Sequence, residues 1–430
     1  MFKRIFALLV VLGMSLSFAA CNSSGSGEDG GKGKVYYLNF KPESDQAWQA
    51  LAQQYTQETG VEVKVVTAAS GDYATTLNAQ MGKEGQPTIF ICGNAMAIAD
   101  WADYTLDLTG TKLAGELTTT DYNLYDSTGA LKAIGYCYES FGIIVNKKLL
   151  AQAGYDLEDI QDFGGLKLVA EDIHRRAEEL GFDAFTSSGL TDSSSWRFSG
   201  HLANMPLFYE FRDGKVVEQP ATLKGTYLDN FRKIWDLYIE NSATAPVDQV
   251  SATGDDAKAD FHSEKAVFWQ QGSWEYAGLQ QAGLTDVAMI PIYCGVPGEE
   301  NAGLCSGTEN CWAVNSQASQ ADIDASLDFL YWVVTSEPGT KKLSEQFGTV
   351  PFKKAAPVTN GFSNDAIRMF NEGKYTVTWA FNYTPNVDNW RAGVVTALTA
   401  YTANQTDENW QKVEDAIIAG WAIEYKTQNG

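Results

Sequence analysis

Two polar stretches of this sequence set aromatic rings beside side chains that hydrogen-bond. Trp196 and Arg197 lie in TDSSSWRFSG, and Trp379, Phe381 and Asn382 lie in TVTWAFNYTPN. The first stretch is too polar for a core element, so a tryptophan placed there needs a reason outside the core. In the second, strand alternation would put Trp379 and Phe381 on one face. Rings supply flat apolar surfaces and short polar side chains fix hydrogen bonds in direction, which together suit non-covalent capture of a small solute. Carboxylates beside aromatics also fit glycoside hydrolysis. Against an enzyme, the chain has no Gly-x-Ser-x-Gly elbow, His-Glu-x-x-His pair or phosphate loop. His174, His201 and His262 are scattered without cysteines at ligand spacing, so no metal site and no cofactor is expected.

The elements that would position such residues alternate. Val35 to Phe40 reads as a strand, Asp45 to Thr59 as a helix with Trp48, Leu51, Ala52 and Tyr55 at helical spacing, and Val61 to Thr67 as a second strand. A helix from Tyr73 to Gly82 and a buried strand from Thr88 to Cys92 continue the pattern, which points to an α/β sheet covered on both faces. Asn94 follows the end of that last strand, at the edge where open α/β sheets bind ligands, and is the first polar candidate there. Asp72, in SGDY, is a second candidate or else the cap of the helix after it. Trp235 and Trp332 fall in apolar helical patterns (FRKIWDLYI, LDFLYWVV) and are assigned to the core.

The chain of 430 residues exceeds the size at which a single core keeps growing, so two domains are expected. It begins with Lys3 and Arg4, an apolar stretch from Ile5 to Met14, and Ala19-Ala20 before Cys21, which is an export signal. Phe18-Ala19-Ala20-Cys21 resembles the bacterial lipobox, in which the cysteine becomes the lipidated N-terminus; Phe18 stands where Leu is usual, and plain cleavage after Ala20 is the other reading. No later stretch approaches about eighteen consecutive apolar residues, so the body is expected to be soluble on the outer face of the cell membrane. Residues 21–34 (CNSSGSGEDGGKGK) read as a flexible tether that holds the body roughly 20 Å from the lipid. Loss of Lys3 and Arg4 takes the net charge from −23 to −25, which argues against nucleic acid as a partner. Cys92, Cys137, Cys294, Cys305 and Cys311 form an odd set without paired spacing, which does not indicate a disulfide framework, although one bridge stays open.

Four segments carry a resemblance. AIGYCYESFGIIVNKKLL (Ala133 to Leu150) is an apolar strand with polar Glu139-Ser140 that passes into Asn-Lys. FHSEKAVFWQQGSWEYAGL (Phe261 to Leu279) runs helix, short strand, Gly-x-Trp, helix. LCSGTENCWAVNS (Leu304 to Ser316) precedes a helix near Ile323 to Thr335, Glu337-Pro338-Gly339 and Gly348 to Pro351, and PNVDNWRAGVVTALTAYTANQTDENWQKVEDAI closes the chain. In this order they resemble the bacterial extracellular solute-binding proteins of ABC importers, in the carbohydrate branch typified by maltose-binding protein.

The resemblance implies a type II periplasmic-binding-protein fold: two α/β lobes joined by three hinge crossings, with the ligand cleft between them. Lobe 1 would comprise residues 35–140 and 309–348, and lobe 2 residues 141–308 and 349–430. Crossings would fall near Glu139 to Gly142, Gly307 to Cys311 and Gly348 to Val350, with Gly142, Gly307 and Gly348 either as hinges or as plain turn residues. Trp274 stands where the family stacks a ring on its ligand, with Glu275 beside it, and Trp390 competes with Trp379 for the C-terminal stacking position. Glu139, at a crossing, is either a ligand contact or a solvated hinge charge. The implied ligand is an oligosaccharide, whose C–H faces want rings and whose hydroxyls want fixed partners. The implied partner is an ABC transporter permease, served by a monomer. A co-receptor reporting to a membrane sensor, or capture of a non-sugar solute, remains as the alternative.

Overall fold

The computed structural model of the chain describes residues 31–69 and 71–430. The export signal, Cys21 and most of the tether lie outside the described residues. The tether ends earlier than expected: Lys32 Nζ donates to the Thr59 carbonyl at 2.9 Å, and Lys34 already belongs to the first strand. No helix among the described residues is long and apolar enough to cross a membrane.

Twelve strands among these residues build two sheets. They are β1 (Lys34–Asn39), β2 (Glu62–Thr67), β3 (Ile89–Ile91), β4 (Leu124–Tyr125), β5 (Leu131–Gly135), β6 (Glu139–Asn146), β7 (Asp183–Phe185), β8 (Ala266–Gly272), β9 (Val287–Ile290), β10 (Ala302–Gly307), β11 (Cys311–Val314) and β12 (Tyr375–Thr378). The first sheet has the order β2-β1-β3-β11-β5-β4, with β1 parallel to both β2 and β3 and β11 antiparallel to its neighbours. The second has the order β12-β10-β6-β8-β7, and β9 pairs with β6. This is the two-lobed type II arrangement, one sheet per lobe.

The near-continuous apolar runs of the central strands follow from burial on both faces. Val35, Tyr37, Ile89 and Ile91 point into one core with the helices Asp45–Thr59 and Gln320–Thr335, while Tyr36, Leu38, Phe90 and Cys92 enter the core on the opposite face. The second lobe repeats the device, with Phe141, Ile143 and Val145 in one core and Ile144 in another. The helix Asp45–Thr59 stops at Gly60, whose φ of 74° is the left-handed conformation that favours glycine. Trp235 is fully buried, whereas Trp332 sits at a core margin and donates from Nε1 to Glu58 at 3.0 Å. The five described cysteines are buried and free.

The chain passes between the sheets over 136–138 and 308–310. The third crossing comes later than 348–350. Thr118 donates to the Pro351 carbonyl and Lys353 to the Glu116 carbonyl, and Phe352 is buried in the first lobe's core; only at Asn360, which donates to the Ser273 carbonyl, is the second lobe reached. None of Gly142, Gly307 and Gly348 has a positive φ. Gly142 lies mid-strand, where an added Cβ would come within 2.3 Å of the Ile290 carbonyl, and one on Gly348 would come within 2.2 Å of the Tyr138 carbonyl. Close approach of backbone to backbone, rather than rotation, explains these two glycines.

Candidate functional site

Between the lobes lies a cleft of about 820 Å³. The first lobe supplies the segments that follow β1 and β3, including Phe40, Lys41, Glu43 and Gly93, at the carboxyl ends of parallel strands. The crossings supply Glu139, Glu309 and Asn310. The second lobe supplies Trp196, Arg197, His201, Trp274 and Trp379 among others.

The floor is a buried ion pair. Lys41 Nζ lies 2.7 Å from Glu139 Oε2 and 2.9 Å from Oε1, and Asn310 Nδ2 donates to Oε2 at 2.7 Å. Lys41 is held in place by Asn39, whose side chain accepts from the Lys41 amide and donates to its carbonyl. Burial opposes the ammonium charge, but Glu139 and Glu43 outweigh it and keep Lys41 protonated. Glu139 is therefore not a solvated hinge charge: it is 2% exposed and joined across the two sheets. Glu309 has no such partner among the described residues, and burial, against the pull of Lys41 and Arg391, pushes its carboxyl up to about 7.

The rings come from three places. Trp274 begins the helical turn after β8 and donates from Nε1 to Gln271 Oε1 at 3.0 Å. Its indole lies directly over Gly272, where an added Cβ would sit 2.1 Å from the ring. The Arg197 guanidinium stacks on Trp274 at 5.1 Å from the centroid, and Lys41 Nζ approaches it to 5.4 Å. Trp196 is covered by the Arg391 guanidinium at 3.5 Å. Trp379 stacks on Phe381 at 5.5 Å and on Phe141 at 5.6 Å.

The local structure behind these rings differs from the sequence expectation in two places. TDSSSWRFSG is not a loop: it forms helical turns over Asp192–Ser195 and Arg197–Leu202, with Phe198 and Leu202 buried beneath. Trp379 and Phe381 do not alternate along a strand, because β12 ends at Thr378 and a helical turn covers Ala380–Tyr383.

Six polar atoms on cleft-lining residues are buried without a partner among the described residues: Ser188 Oγ, Arg197 Nε, His201 Nδ1, Gln270 Oε1, Asn310 Oδ1 and Trp379 Nε1. Buried polar atoms are ordinarily bonded, so a cluster of exceptions on one surface marks where a polar ligand or water completes the site. His201 stacks on Phe141 at 4.1 Å and is kept neutral by burial together with the charges of Arg197 and Arg391.

Of the residues singled out from the sequence, the cleft brings together Glu139, Trp196, Arg197, Trp274, Glu275 and Trp379. The others stand outside its lining. Asn94 caps the helix Ala95–Asp100 by accepting from the Ala97 amide at 2.9 Å, so its polar atom serves the backbone. Asp72 is exposed and makes no capping bond, leaving Gly71 and Tyr73 on either side of it to reach the cleft. Phe381 is packed beneath Trp379, and Asn382 Nδ2 reaches the Thr308 carbonyl at 3.5 Å. Trp390 does not line the cleft: it is 2% exposed, donates to the Ile417 carbonyl at 3.0 Å and meets Trp421 edge-on between the closing helices Val387–Ala403 and Asp407–Asn429. No sequence pattern points to Glu309 or His201 of the lining or to Arg391 over Trp196, and one points only in part to Lys41. Lys41 was legible in part, since a lysine two residues after an apolar parallel strand sits on the ligand edge; the other three depend on long-range packing.

A sequence model of the bacterial extracellular solute-binding protein family matches residues 50–371. The chain belongs to that family. No curated protein matches it. Its fold is shared with solved structures at low identity. RafE, a solute-binding protein from Streptococcus pneumoniae solved in complex with raffinose, is 13% identical with a TM-score of 0.72, covering 91% of this chain and 99% of its own. The bacterial solute receptor AcbH, described as preferring galactopyranose, is 15% identical with a TM-score of 0.72, over 92% and 100% of the two chains. A chitin oligosaccharide binding protein is 14% identical with a TM-score of 0.69, over 92% and 100%. The family and these neighbours are binding proteins rather than enzymes.

Proposed function

We propose that this solute-binding protein captures an oligosaccharide outside the cytoplasm and delivers it to the permease of an ABC importer, without chemistry on the ligand. The observation that carries this reading is the pairing in one cleft of three tryptophans, Trp196, Trp274 and Trp379, with six buried polar atoms that have no partner among the described residues. Rings suit the C–H faces of a sugar, and unpaired donors and acceptors suit its hydroxyls. The raffinose of RafE and the chitin oligosaccharide of the third neighbour are in keeping with it. Ligand contact is assigned to Glu139, Trp196, Arg197, Trp274, Glu275 and Trp379, with Lys41 and His201 added from the geometry.

The ligand bridges the lobes, and the closed form is what the permease recognises. Lipid on Cys21 keeps the monomeric receptor at the outer face of the membrane. A thermal-shift screen against raffinose, stachyose, chitin oligosaccharides and related glycans tests capture, because a ligand that binds only the folded state raises its stability. No shift with any glycan removes the reading, and steady product release from a bound glycan replaces it with an enzyme. Detergent partitioning that is lost in Cys21→Ser tests the anchor.

A further inference from the structure

Arg197 is electrostatically unlike every other described arginine. The six others each lie within ion-pair distance of an aspartate or glutamate, down to Arg391 with Asp388 at 3.6 Å. Arg197 makes no ion pair among the described residues, in a chain whose net charge is −23. The carboxylates nearest in effect, Glu275 and Glu43, are engaged elsewhere: Glu275 by Lys258 at 3.0 Å and Glu43 by Lys41 at 3.1 Å. One face of the guanidinium lies on Trp274, and its Nε has no partner among the described residues.

The surroundings do not cancel this charge. Arg391 adds a second cation whose field reaches Arg197, and His201 between their influences stays neutral. Burial drags the Arg197 guanidinium down to about 10, the signature of a cation short of compensation, although it stays charged near neutrality. The remaining acids of the cleft are committed or muted. Glu139 is bonded to Lys41 and Asn310, Asp255 sits in the first turn of the helix Gly254–His262 where a negative charge is favoured, and Glu309 carries only part of its charge at neutral pH.

A planar guanidinium backed by an indole in the lining of a cleft suits a carboxylate held through two parallel hydrogen bonds. We infer that the saccharide this protein captures carries a carboxylate, as a uronic acid does, and that Arg197 pairs with it against Trp274. The inference rests on the saccharide reading above and narrows it to acidic sugars.

Titration calorimetry with matched pairs tests it: galacturonate trimer against galactose trimer, and glucuronate-substituted against plain xylotriose. The tightest ligand is expected to be a uronate that binds roughly 30-fold or more above its neutral partner. Arg197→Gln should erase that preference, and Arg197→Lys, which keeps the charge without the fork, should retain about a tenth of it. Thermal unfolding of each variant confirms that it is folded. Neutral saccharides that bind as well as their uronates overturn the inference and leave oligosaccharide capture standing; failure of both kinds to bind overturns both. A uronate preference that survives Arg197→Gln likewise overturns the role given to Arg197.

Discussion

Lys41, two residues after β1 of the first sheet, and Glu139, at the head of β6 in the second, meet at 2.7 Å with side chains only 6% and 2% exposed. Two charges so far from water repay their desolvation only while they are together, and removal of one leaves the other stranded. Glu139→Gln is expected to cost about 3–5 kcal/mol in urea unfolding. The double variant Lys41→Met/Glu139→Gln should recover much of that loss, since Asn310 can still donate to the glutamine. Additive losses in the double-variant cycle would mean that the two charges do not depend on each other.

Trp274 is aimed by Gly272 beneath it and by Gln271 at its nitrogen. Trp274→Ala should weaken glycan affinity by about 1–3 kcal/mol with little change in unfolding. Gly272→Ala is the more telling variant, because the backbone there has φ −119°, which alanine adopts freely, while the new methyl displaces the indole. Calorimetry should find Gly272→Ala nearly as impaired as Trp274→Ala; wild-type affinity in both would take the ring out of the binding surface.

The Glu309 carboxyl titrates at about 7 when folded against an ordinary value of 4.5. Between those values the native state holds more protons than the unfolded chain, so this group's contribution is fully present below about 4.5 and is lost as pH rises through 7. Cleft water reaches part of the side chain, which reduces the effect to roughly 1–2 kcal/mol. Glu309→Gln should match wild type at pH 4 and exceed it in stability at pH 8. Parallel stability curves across that range would show that Glu309 does not feel its burial.

What the sequence made legible follows the range of the interactions. The opening strands and the helix Asp45–Thr59 were readable because period and capping are local: VYYL and IFI are buried on both faces, and Gly60 ends the helix. The rings of the cleft were readable as ring-plus-polar sets, yet their mechanism of placement was not. Trp196 looked like a loop residue because its apolar neighbours Phe198 and Leu202 are interleaved with serine and glycine in tight helical turns. Asn94 follows a strand, a place that suits a ligand contact and the cap of the next helix equally. Glu309 acquires its character from burial and from Lys41 and Arg391, which are distant in the chain, and no spacing rule reaches that far.

Trp390 and Trp274 separate stability from binding. Trp390 is packed against Trp421 at 6.1 Å, and its indole nitrogen satisfies the Ile417 carbonyl, so it joins the two closing helices of the second lobe. Truncation removes a large buried ring together with its bond to the Ile417 carbonyl, which keeps its own helix partner, and loss of such a ring typically costs about 3–5 kcal/mol. Trp390→Ala should therefore lower the unfolding midpoint steeply while the folded fraction keeps wild-type glycan affinity, the reverse of the expectation for Trp274→Ala. Denaturant unfolding and calorimetry on both variants check the contrast, and a Trp390→Ala protein that is stable but fails to bind would move Trp390 to the cleft.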